Sequence, residues 1–202
     1  FVLGKSSLEK ENFDVLVLSV RNIEKVVIPN FIEIIGSCAF NCCKKIHTIE
    51  IPNDTKLRII KYFAFSETSI ESIEIPDGLI QIWSGAFSYC YNLKKVVISK
   101  NSQLQKIEMV AFSETSIRKM FIPPHITKIC EETFSRCDHL QSIQFSENSE
   151  LKIIENRAFA DSSIESISLP SRVSELNEGW CHDTPNLTQI TVMPNNKNFS
   201  FL

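Results

Sequence analysis

The chain has 202 residues, with 21 basic against 24 acidic side chains and a net charge of −3. That balance gives no electrostatic case for nucleic acid or for an anionic membrane surface. No apolar run reaches the roughly 18 residues a membrane-spanning helix needs, so no membrane span is expected in this segment.

The chain opens on Phe1 with neither an initiator methionine nor a charged-then-apolar leader, and is expected to be cut from a longer protein. Residues 1–22 carry no repeat. Their stretch FDVLVLSV, 13–20, is strand-like. It is expected to belong to an N-terminal cap that covers the first apolar face and its unpaired backbone.

From Ile23 onward one pattern recurs. IEKVVIP (23–29) returns as IHTIEIP, IESIEIP, LKKVVIS, IRKMFIP, LQSIQFS, IESISLP and LTQITVM (187–193), with starts alternately 23 and 24 residues apart. Positions one, four and six of each copy are apolar, which predicts a short β-strand with one buried face. The proline that usually follows lacks an N–H and ends the pairing. Two further apolar anchors precede a phenylalanine in six of the copies, as in Leu79, Ile82 and Phe87, and Val173 and Leu176 precede Cys181 in the seventh. Phe40, Phe65, Phe87, Phe112, Phe134 and Phe159 are separated by 25, 22, 25, 22 and 25 residues, and FSETSI stands unchanged at 65–70 and 112–117. A fixed period of this size marks a solenoid, one continuous core built by stacking. The expected architecture is a right-handed solenoid of about seven coils over residues 23–192. A parallel β-sheet forms one face and irregular or short-helical returns the other. Residues 193–202 form a tail that leaves the pattern.

Cys43, Cys90 and Cys137 recur every 47 residues, in every second coil. Parallel strands lie about 4.8 Å apart, so second neighbours are roughly 9.6 Å apart, beyond the about 7 Å Cα separation a disulfide tolerates. They are read as buried thiols filling small apolar spaces. Cys130 and Cys137 fall in one coil and are expected to be reduced.

The unit L-x-x-I-x-I-P, then two anchors, Ala-Phe and a cysteine three residues on, resembles the BspA-like class of leucine-rich repeat. Residues 76–93, PDGLIQIWSGAFSYCYNL, carry nearly all of it, and the match runs from about 23 to 192. ENFDVLVLSVRNIEKVVIP is also similar to repeat arrays of protozoan surface antigens in that class. Ser99 and Ser146 replace the proline, Thr133 replaces the alanine, and Gly179-Trp180-Cys181 is a weak last copy. The resemblance implies a cell-surface or secreted adhesion and recognition protein. The fold alone names no ligand.

Positions two, three and five of each strand are expected to form an exposed ladder. Lys94, Lys95, Arg118 and Lys119 make a basic patch there, with Val97 and Phe121 between the basic rungs and Glu50, Glu71 and Glu74 as an acidic neighbour. An aromatic side chain flanked by cations has the composition of an interface centre. A protein partner from the host matrix or a cell surface is the expected ligand. The alternative is a solvated face whose opposite charges steady adjacent rungs. At the level of the whole chain, the alternatives are a structural spacer and an intracellular scaffold. Cys38, Cys42, Cys43 and His47 lack paired metal-ligand spacing, and Cys181-His182 lacks a third partner. No metal, cofactor or enzymatic activity is expected. Asn53, Asn186 and Asn198 begin N-x-[ST] sequons.

Overall fold

The computed structural model describes residues 1–200. Phe201 and Leu202, the end of the predicted tail, lie outside the described residues. Each coil begins with a strand of the predicted kind: β3 Lys25–Val27, β5 Thr48–Glu50, β7 Ser72–Ile75, β9 Lys95–Ile98, β11 Lys119–Ile122, β13 Ser142–Phe145, β15 Ser166–Leu169 and β17 Gln189–Val192. Eight such strands make eight rungs, with LTQITVM pairing as β17 onto β15. Ile70, Ile73 and Ile75, positions one, four and six of the copy that contains β7, are buried, while Glu71, Ser72 and Glu74 are exposed. Alternation at period two, with one face in the core, produces this.

The alternating step leaves a mark on the sheet. Across 23-residue steps the strands pair in parallel over their whole length, as Ser72↔Lys95 through Ile75↔Ile98 in β7–β9. Across 24-residue steps β13 and β15 share one pair, Ser142↔Ser166. β5–β7 and β9–β11 form no ladder pair among the described residues. In the longer coils the link from phenylalanine to the next strand is five residues rather than six, so that strand enters off the full register.

The returns are mostly turns and irregular segments with no short helices, which corrects only the helical part of the expectation. No helix forms among the described residues. Instead a second parallel ladder of mostly two-residue strands crosses the return side: β2 Val15–Leu18, β4 Ile34–Ile35, β6 Ile59–Ile60, β8 Gln81–Ile82, β10 Lys106–Ile107, β12 Lys128–Ile129, β14 Ile153–Ile154 and β16 Glu175–Leu176. It breaks once, between β10 and β12. The strand-like stretch of residues 1–22 joins this ladder, β2 pairing with β4, and β1 Val2–Gly4 folds back antiparallel onto β2.

Each phenylalanine sits in a chain of tight turns. Ala39 N–H donates to Gly36 O, Asn41 N–H to Cys38 O, and Cys43 N–H to Phe40 O. With right-handed φ throughout, such a run would close into a 3₁₀-helix. It does not, because the residues two before and two after the phenylalanine have positive φ. The first column is Cys38, Phe63, Gly85, Val110, Glu132, Arg157 and Gly179, and the second is Cys42, Glu67, Tyr89, Glu114, Arg136, Asp161 and Asp183. These reversals turn alternate N–H groups toward the next coil: Phe63, Phe65 and Glu67 donate to Ser84, Ala86 and Ser88. Only Gly85 and Gly179 in these columns are glycine, so the strain is carried by residues with a Cβ. Exposed Cys38, at φ 57° and with a free thiol, is an example. Left-handed φ costs an L-residue about 1–2 kcal/mol and glycine loses about 0.5–1 kcal/mol more entropy on folding. Cys38→Gly should therefore raise stability by about 0.5–1 kcal/mol, read as a higher urea midpoint. An unchanged or lower midpoint would show that the backbone there carries no such strain.

The six phenylalanines form a continuous stack, fully buried, with successive centroids 5.0, 5.2, 5.2, 5.8 and 5.6 Å apart. Phe1 closes one end edge-on at 6.2 Å and Trp180 closes the other at 6.2 Å. In the weak last copy Cys181 holds the register position of the phenylalanine, and the neighbouring indole terminates the stack.

The periodic thiols do more than fill space. Cys90 Sγ donates to Phe65 O at 3.0 Å, and Cys137 Sγ donates to Phe112 O at 3.2 Å. The same carbonyls accept from Thr68 and Thr115 hydroxyls at 2.9 Å. Burial pushes both thiols up to about 11, so they stay protonated donors. After Thr68 and Thr115 the hydroxyl column continues with Ser162, whose buried hydroxyl has no partner among the described residues. The last coil supplies Thr184, bonded to Cys181 O, in place of a cysteine. All seven cysteines are free, Cys130 and Cys137 among them.

Candidate partner-binding surface

The fold brings the predicted ladder residues onto one face. Lys94, Lys95, Arg118 and Lys119 are exposed, as are Glu50, Glu71 and Glu74. Register places Lys95 beside Ser72, Val97 beside Glu74, Lys119 beside Ser142 and Phe121 beside Gln144. The basic rungs β9 and β11 straddle one of the unpaired joints, bridged by a single long backbone hydrogen bond, Arg118 N–H to Lys94 O at 3.4 Å.

Charge is distributed unevenly across this face. Lys25 holds Glu50 at 2.6 Å, and Lys94 reaches Glu71 only at 3.8 Å. Lys95, Arg118, Lys119 and Glu74 make no ion pair among the described residues. Exposed pairs of this kind contribute about 0–1 kcal/mol each. Phe121 differs from expectation. It is half-buried and packs against the core, and Val97 is half-buried too, whereas Val27, Glu50, Glu74 and Gln144 at the same position five are exposed.

Two shallow grooves border the patch. One of about 330 Å³ lies at the entry to the strands, with Arg118, Gln141, Glu165, Asp138, His139 and Asn186 around it. The other, about 280 Å³, lies at their exit and contains Glu74, Val97, Asn53 and Asp77. The described residues hold no cluster of three or more histidine, cysteine or acidic side chains able to bind a metal. Cys38, Cys42, Cys43 and His47 therefore do not converge.

The sequence reading missed the other side of the molecule. All three tyrosines, Tyr62, Tyr89 and Tyr91, lie on the return side with Phe63, Trp83 and Met109. Tyr62 meets Trp83 edge-on at 4.7 Å, Lys61 stands 5.4 Å over the indole, and Tyr89 meets Tyr91 at 6.3 Å. They stand at different offsets from the stacked phenylalanines, so no period in the sequence marks them.

The model of the BspA type leucine rich repeat region matches the chain in six copies, over residues 17–137 and 105–201. No curated protein matches it. Among solved structures, a leucine-rich repeat protein from Bacteroides ovatus is similar over 86% of this chain and 61% of its own, with 17% identity and a TM-score of 0.60. A leucine rich cell surface protein from Faecalibacterium prausnitzii is similar over 84% of this chain and 60% of its own, at 23% identity and a TM-score of 0.54. The leucine-rich repeat protein of T. pallidum aligns over 76% and 60%, at 23% identity and a TM-score of 0.57. This chain thus spans about three fifths of each relative's length, and the likeness is one of fold. With the repeat model covering almost every coil, the chain belongs to the BspA-type leucine-rich repeat family.

Proposed function

We propose that this chain is a non-enzymatic protein-binding module of a cell-surface or secreted protein. The strand-face patch of Lys94, Lys95, Val97, Arg118, Lys119 and Phe121, beside Glu50, Glu71 and Glu74, is its docking site. The observation that carries the reading is that Lys95, Arg118 and Lys119 are exposed on two adjacent rungs with no ion-pair partner among the described residues. Unpaired cations around a half-buried aromatic suit an acidic, partly apolar protein surface. The family, and the cell-surface relative from F. prausnitzii, support a surface location.

Charged contacts of this type act mainly on the association rate. In binding to matrix and cell-surface proteins, the triple variant Lys95→Glu, Arg118→Glu, Lys119→Glu should associate roughly tenfold or more slowly than wild type at low salt. Its fold should be unchanged. Equal rates for a folded variant would remove the patch from consideration. The cross-rung pairs Lys25–Glu50 and Lys94–Glu71 favour a second reading, a spacer whose face steadies itself. Seven free cysteines would also suit an intracellular scaffold.

A further inference from the structure

We propose that the strand face binds a second copy of this chain, in a twofold dimer that lays the acidic rungs of each copy over the basic rungs of the other. This rests on the docking role proposed above for the same face and names its partner. Along the solenoid the exposed charges separate by rung. The rung of β5 presents Glu50, and that of β7 presents Glu71 and Glu74. The rung of β9 follows with Lys94 and Lys95, and that of β11 with Arg118 and Lys119. Three carboxylates on two rungs thus stand beside four cations on the next two. The flanking rungs break the pattern. Glu24 and Lys25 occur together beside β3, and the ladder positions of β13 hold the uncharged Gln141, Ser142 and Gln144.

The two halves are not spent on each other. Lys94 meets Glu71 only at 3.8 Å, and Glu50 turns the other way, to Lys25 at 2.6 Å. Glu74, Lys95, Arg118 and Lys119 make no ion pair among the described residues. A partner acidic along its whole length would suit the cations but be repelled by the carboxylates two rungs away, and a basic one the reverse. The surface that answers both halves carries the same two halves in the opposite order. A second copy, turned by half a turn, does so, and such a contact is self-complementary. The acidic surface that suits the cations is then the β5 and β7 half of the second copy.

Charge also sets the direction of the twofold axis. An axis parallel to the strands, between β7 and β9, reverses the order of the rungs. It sets the β7 rung of one copy against the β9 rung of the other, so that Glu71 and Glu74 face Lys94 and Lys95. It also brings Glu50 of one copy to the rung of Arg118 and Lys119. An axis along the solenoid would lay each rung on its own copy, carboxylate on carboxylate and cation on cation, which is repulsive. Half-buried Val97 and Phe121 give the contact an apolar part. Rungs about 4.8 Å apart make the charged region short, so the dimer is a weak one of the small-interface kind and sensitive to salt.

The test is sedimentation of the folded chain at concentrations up to about 100 μM, where an interface of micromolar affinity is saturated. Wild type should be dimeric at low salt and monomeric in about 1 M salt, where the screening length falls to about 3 Å. The variant Lys95→Glu, Arg118→Glu, Lys119→Glu and the variant Glu71→Lys, Glu74→Lys should each be monomeric, with the circular dichroism spectrum unchanged. Their equimolar mixture should dimerise again. Carbodiimide cross-linking of a mixture of isotope-labelled and unlabelled chains should join Glu74 of one copy to Lys94 or Lys95 of the other. The proposal is overturned if wild type stays monomeric at low salt, if both variants dimerise as wild type does, or if the cross-links between copies lie off the strand face. A monomeric wild type whose association with matrix proteins still depends on Lys95, Arg118 and Lys119 would remove the second copy and leave the docking role. A monomer with no such dependence would remove both.

Discussion

Truncating Phe112 to alanine should lower the unfolding free energy by about 3–5 kcal/mol. The ring is fully buried, stacked between Phe87 at 5.2 Å and Phe134 at 5.8 Å. The backbones of all three are tied across the coil boundaries, through Phe87 N–H to Ala111 O, Phe112 N–H to Thr133 O and Phe134 N–H to Ala158 O. They cannot close the gap without breaking those bonds, so the site collapses poorly and the cavity cost adds to the lost transfer energy. In a solenoid the damage is also cooperative, because each coil is stable only through its neighbours. The variant should show a lower urea midpoint and faster amide exchange in the coils on both sides of residue 112. A loss below about 1 kcal/mol, the usual scale of surface changes, would mean that the phenylalanine stack is not what couples the coils.

The second large effect lies in the N-terminal cap. Asp14 is 3% exposed. Burial pushes its carboxyl upward, but hydrogen bonds from Lys10 and from the Ser6 hydroxyl and N–H outweigh this and hold it down at about 2, against 3.8 ordinarily. Its backbone also anchors the junction, since Glu33 and Ile34 N–H donate to Asp14 O and Asp14 N–H donates to Gly4 O. A carboxyl depressed in the folded state stabilises it fully above 3.8, and that stability is lost as the pH falls toward 2. The depression corresponds to about 2 kcal/mol. Asp14→Asn should destabilise the cap by roughly that amount at neutral pH and flatten its acid sensitivity. Hydrogen exchange of residues 1–18 between neutral pH and the acid range measures both. Equal protection of variant and wild type at neutral pH would show that the Lys10–Asp14–Ser6 contacts do not hold the cap.

Much of this molecule is one-dimensional, and that part was legible. Ile70, Ile73 and Ile75 announce their strand, and Leu79, Ile82 and Phe87 announce the inward column of the return, because each residue's burial depends on its place in the period. The placement of Lys94, Lys95, Arg118 and Lys119 on one face followed from the same alternation. The two left-handed columns were hidden, since Cys38, Phe63 and Val110 stand where a glycine would have signalled positive φ. The second ladder was hidden as well. A two-residue strand such as Gln81–Ile82 carries too few positions to show a period.

The sequence by itself determined the repeat, the stacked phenylalanines, the periodic thiols and the family resemblance, all of which are relations at fixed separation along the chain. Only the tertiary structure decided which neighbours meet between coils. It packed half-buried Phe121 against the core, left β9 and β11 without ladder pairing beneath the basic patch, and set Tyr62 edge-on against Trp83 of the next coil. Those outcomes depend on the direction a side chain takes across a coil boundary. Stacking sets that direction by excluded volume and backbone register, which no spacing in the sequence records.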